Sequence, residues 1–124
     1  MFEGLKIKIL GIQPSARVTD KTLERLIQRD FGNKAYEVNQ KLQQVTSNTH
    51  KGKNRISAAI LKLTNKDFNS IEHYINMSKH DFRDVISQAE YAKCSKLGFD
   101  ELSKQKMKRI YLDDWTEYSN WLTK

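Results

Sequence analysis

A single proline, Pro14, in a chain of 124 residues leaves everything after it without the residue that most reliably breaks a helix, and five glycines supply few tight turns. Such a chain must bury its apolar residues through long regular elements. From Thr19 onward those residues recur at steps of three and four, the spacing of one helix face. The pattern predicts a mainly α fold: a compact five- to six-helix domain over residues 19–124, preceded by a short extended or strand-like N-terminal arm over residues 1–18.

The first helix is expected to start at Thr19 or Asp20 as N-cap, to turn Leu23, Leu26 and Ile27 inward, and to end before Gly32. Asn33 can cap a second helix carrying Ala35, Val38, Leu42 and Val45, and Ser47 to Gly52 reads as a polar loop. A third helix is expected from about Asn54, with Ile56, Ala59, Ile60 and Leu63 inward, and a fourth from Asn65–Asp67 carries Phe68, Ile71 and Ile75. Ser78 with Asp81 resembles a capping box for a fifth, whose inner face is Phe82, Val85, Ile86 and Ala89. Gly98 breaks the chain before a last helix capped near Ser103. That helix places Met107, Tyr111, Trp115, Tyr118 and Leu122 on one stripe, with Ile110 and Trp121 beside it.

The arm differs in period. Leu5, Ile7 and Ile9 alternate with Lys6 and Lys8 between Gly4 and Gly11, the pattern of a strand. A lone strand cannot satisfy its own backbone groups, so the arm must pair with another chain, add to a partner's sheet or pack on helices; a homodimer through the N-terminal arm is one outcome. No internal repeat or low-complexity tract divides the chain, so a single domain over 1–124 is expected. The start lacks a basic n-region and no apolar run reaches the roughly 18 to 20 residues that span a bilayer, so neither a signal peptide nor a membrane span is expected. The lone cysteine, Cys94, cannot form an internal disulfide, and the expected setting is the cytoplasm.

Charge is the main pointer to function. The formal net charge is +7, and residues 1–62 hold 12 Lys/Arg against 5 Asp/Glu while the remainder is balanced. A one-sided positive field points to an anionic partner, either an acidic protein or nucleic acid. The sharpest basic feature is His50-Lys51-Gly52-Lys53-Asn54-Arg55, where a loop is expected to enter a helix and Lys51, Lys53 and Arg55 can meet phosphate. The first two helices also admit a helix-turn-helix reading, with Lys34, Lys41, Asn39, Gln40, Gln43 and Gln44 as groove-facing donors. Among the C-terminal aromatics Trp121, out of line with the stripe, is the candidate partner contact.

Catalysis and metals find weaker support. His73, His80 and Cys94, or Asp113, Asp114 and Glu117, lack a metal-ligand spacing, and the acidic trio is expected to face water. Cys94 with His73 or His80 would need an adjacency that spacing does not provide, and no hydrolase, zinc-protease or dinucleotide fingerprint is present. No enzyme activity, cofactor or metal is therefore expected.

The run Asn54 to Leu63, the segments Phe82-Arg83-Asp84-Val85-Ile86 and Ala89-Glu90-Tyr91, and the ending Trp115, Tyr118, Trp121, Leu122 resemble a group of small uncharacterised bacterial helical proteins without an assigned activity. The resemblance implies a bacterial cytoplasmic domain and carries over no catalytic residue. On the residues themselves, Arg83 and Asp84 are expected to make internal polar links, Asp84 lying one helical turn after His80. The leading expectation is a non-catalytic helical binding module for an acidic macromolecular partner, a protein first. Nucleic-acid binding through Lys51 to Arg55 is the alternative, and a small immunity-type protein that neutralises a toxin is a third reading by analogy.

Overall fold

The computed structural model describes residues 17–97 and 104–124. They form α1 (Asp20–Phe31), α2 (Ala35–Leu42), α3 (His50–Thr64), α4 (Ile71–Glu90), α5 (Ala92–Leu97) and α6 (Lys104–Thr123), with 3-10 turns at Gly32–Lys34 and Phe68–Ser70. The fold is mainly α, and among the described residues there is no strand. The strand-like Leu5 to Ile12, its dimer contact, Gly98, Ser103 and the Met107 side chain lie outside the described residues. No described helix is long and apolar enough to cross a membrane. The chain divides into two compact units, one of Val18–Ala89 and one that includes Glu90–Lys124.

In the first unit α1 packs against α2 and α3. Its N-cap is Thr19, whose side chain accepts from the Thr22 N–H, and its last turn closes on Gly32 at φ 49°, with the Gly32 N–H donating to Gln28 O. A side chain at that φ would be strained, which explains the glycine. Leu26 and Ile27 are buried as expected, with Val38 and Leu42 from α2. Asn33 caps nothing: it lies in the 3-10 turn, and Lys34 precedes α2 without a side-chain cap. Val45 is buried although α2 has already ended, because its N–H turns back to Leu42 O.

Three boundaries differ from expectation. Helix α3 opens at His50, not Asn54, because Thr49 accepts from the Gly52 N–H at 2.9 Å and nucleates the helix four residues earlier. A Cβ at Gly52 would meet Ser47 Oγ, which would have to swing aside. Asn65 ends α3 in the left-handed region at φ 50°, which asparagine tolerates, and Asp67 then caps the 3-10 turn by accepting from the Asn69 N–H. Within α4 the break falls at Asp81 (φ −156°, ψ 100°), whose Oδ1 accepts from the Arg83 N–H. Ser78 instead donates to Ile75 O and opens nothing. The break turns Phe82 outward, 45% exposed, and leaves Val85, Ile86 and Ala89 buried. It also removes the His80–Asp84 helical pairing, and Arg83 Nε donates to Asp81 Oδ1 at 3.1 Å instead.

In the second unit α5 packs against α6. The buried stripe of α6 runs through Tyr111, Asp114, Tyr118 and Leu122, while Trp115, expected on it, is half-buried. Tyr91 meets Tyr111 edge to face at 5.2 Å, and Tyr118 stacks on Trp121 at 5.5 Å.

Candidate functional site

The N-termini of α1 and α3 meet. Asp20, the first residue of α1, accepts at Oδ1 from Asn54 Nδ2 at 2.8 Å and lies 2.6 Å from His50 Nε2, the first residue of α3. Asn54 also reaches Val18 O at 3.4 Å and is buried, so this residue, read from sequence as a helix start, is the internal clasp between the two helices. Each helix end carries the positive pole of its dipole, with one N–H taken by the Thr19 or Thr49 hydroxyl. Lys21 and Lys51, next in sequence to the two joined residues, are both exposed. Two helix N-termini and two exposed lysines thus lie at one end of the unit, beside the Asp20 carboxylate.

The Asn54 amide, and after it the His50 ring, hold the Asp20 carboxyl below its ordinary value of 3.8. A depressed carboxylate contributes stability above its unfolded pKa, and that contribution fades as pH falls through the lower folded value. A carbon-13 titration of the Asp20 carboxyl is expected to give a midpoint below 3.8 in the native protein. In Asn54→Ala the midpoint should return towards 3.8, and an unshifted midpoint would show that the clasp does not set it.

Between these helices and α2 lies a half-open cleft of about 200 Å³. Leu23, Ile27 and Leu42 line its apolar part, and Asp20, Glu24, Asn39, Gln43, His50 and Lys53 its polar part. Lys53 Nζ reaches Gln43 Oε1 at 3.4 Å.

The basic run is helical, which separates its cations. Residues 51 and 55 are one turn apart and share a face, whereas residue 53 falls on the far side, where it lines the cleft. Gly52 is fixed by the Thr49 cap and cannot act as a flexible hinge. Lys34 and Lys41 both sit over the Phe68 ring, at 4.5 and 5.4 Å, and Lys41 also bonds Glu72 at 2.7 Å. These contacts lie within the unit, and Lys34 remains exposed. Trp121 is half-buried against Tyr118.

In the second unit Asp114 is 2% exposed and does not face water. Its Oδ1 accepts from the Lys93 N–H at 3.0 Å and its Oδ2 from the Cys94 N–H at 3.1 Å, capping α5 from a distance in sequence that no local motif signals. Cys94 is itself fully buried. Among the described residues no group of three or more His, Cys, Asp or Glu side chains is placed to hold a metal ion.

No protein-family model matches the chain, and comparison with curated proteins and with solved structures gives no match either. The residues therefore carry the functional reading.

Proposed function

We propose that the chain is a non-catalytic helical binding module whose lysine-bearing end, where α1 and α3 are clasped, docks on an acidic macromolecular partner, a protein in the first reading. The carrying observation is the Asp20 bridge to His50 and Asn54, which sets two helix N-termini and the exposed Lys21 and Lys51 on one end. Asp20 and Glu24 alternate with Lys21 and Arg25 along α1, and Asp20 and Glu24 are exposed. A phosphate backbone would be repelled by those carboxylates, whereas a protein surface can match mixed signs residue by residue. Burial of Cys94 supports a role other than nucleophilic catalysis, and a single cysteine suits a reducing cytoplasm.

Nucleic acid is the second reading, favoured by Tyr36, which is 74% exposed on α2 with Asn39 and Gln40 exposed beside it. An aromatic ring among carboxamides suits base stacking and base-edge contacts. A pull-down from native lysate, split into nuclease-treated and untreated halves, separates the two. An acidic protein retained equally in both halves is the expected result. Loss of the captured material on nuclease treatment would transfer the function to nucleic acid.

A further inference from the structure

The cleft beside the clasp differs in kind from the basic rim, because it holds both signs of charge and an apolar lining. Asp20 and Glu24, one turn apart on α1, set carboxylates on one side, and Lys53 from α3 brings an ammonium towards Gln43, the residue that follows α2. Leu23, Ile27 and Leu42 supply the apolar part of the lining. The Lys53–Gln43 contact, at 3.4 Å, is long for a hydrogen bond to an ammonium, so Lys53 gains by turning to an anionic acceptor. Asp20 receives both His50 and Asn54 on Oδ1. A carboxylate offers about four lone-pair sites, which leaves it room for a further donor.

These groups sort ligands by charge. A simple anion would meet the two carboxylates, and a simple cation would leave Lys53 without an anionic partner. A molecule carrying both charges satisfies each wall, and its uncharged part can cover the apolar lining. At about 200 Å³ the cleft holds several waters' worth of volume, room for a ligand on the order of ten non-hydrogen atoms.

We propose that this cleft binds a small zwitterion of the α-amino-acid class, its ammonium towards Asp20 and Glu24, its carboxylate towards Lys53, and a short side chain on Leu23, Ile27 and Leu42. The site shares Asp20 and His50 with the clasped end but uses neither Lys21 nor Lys51. It stands if that reading fails, because its tests change Glu24 and Lys53 alone.

The probes are the free L-amino acids, each titrated into the full-length protein by calorimetry and followed by methyl NMR. At least one short-chain member should bind saturably, with a dissociation constant between about 10 μM and 1 mM for a ligand of this size. The matching amine and the matching carboxylic acid, each lacking one charge, should each bind at least about tenfold more weakly, the cost of one lost ionic contact. Glu24→Gln and Lys53→Met should each weaken the amino acid by a similar factor while leaving the circular dichroism spectrum and melting temperature unchanged. Methyl shifts should centre on Leu23, Ile27 and Leu42. Absence of saturable binding by about 10 mM, equal binding of a single-charge analogue, indifference to both substitutions, or shifts centred elsewhere would each overturn the proposal.

Discussion

Replacing Asp114 by alanine is expected to destabilise the protein by about 2–4 kcal/mol, from the loss of two hydrogen bonds to a charged acceptor and the stranding of their donors. The carboxylate is 2% exposed and spans the Lys93 and Cys94 N–H groups at the start of α5. Alanine leaves both amides without that acceptor, and the Cys94 bond is buried, so water does not readily replace it. Asp114→Asn keeps one acceptor oxygen and turns an NH₂ towards the other donor, and it should fall between wild type and alanine. Urea unfolding gives the global change, and amide exchange gives its location: Lys93 and Cys94 should lose protection before residues of the Val18–Ala89 unit. Unchanged protection at those two amides in Asp114→Ala would show that the capping bonds are not what holds α5.

The second large effect is expected at Leu26. It is fully buried on α1, the helix that packs against both α2 and α3, and shares the core with Ile27, Val38, Leu42 and Ile60. Leu26→Ala should cost about 2–5 kcal/mol, combining lost transfer energy with a cavity that close-packed neighbours only partly fill. Against a total stability of about 5–15 kcal/mol that is a large fraction, visible as a lowered urea midpoint with an unchanged slope. A loss under about 1 kcal/mol would mean that the surrounding side chains collapse into the space.

Local signals in the sequence were readable where local chemistry decides the structure. Thr19 and Gly32 bound α1 because an N-cap hydroxyl and a left-handed glycine act within one turn of chain. The start of α3 is not legible in that way, since His50 to Gly52 resembles a loop in composition and the Thr49 cap has no acidic partner three residues on to reveal it. Nor is the break in α4, where Ser78 offers a cap three residues before Asp81, which makes the turn and rotates Phe82 into solvent.

The clasp and the cap were beyond such reading for a different reason. Asn54 acts on Asp20 from 34 residues away and Asp114 on Cys94 from 20. Side-chain bonds across such separations leave no periodic trace. The helical period did carry information about the basic run that its composition concealed. Once residues 50–55 are helical, Lys53 must part from Lys51 and Arg55.

The central claim is that the clasped end of α1 and α3 makes the contact with an acidic partner. It is tested most directly by measuring the affinity of the captured partner for wild type and for the Lys21→Glu/Lys51→Glu variant across a salt series. Both residues are exposed, so the fold should tolerate the change. Reversing two contacting charges should weaken binding by about 30-fold or more at low salt, mainly through slower association, with the difference narrowing as salt rises. Equal affinity of the two proteins at every salt concentration would contradict it.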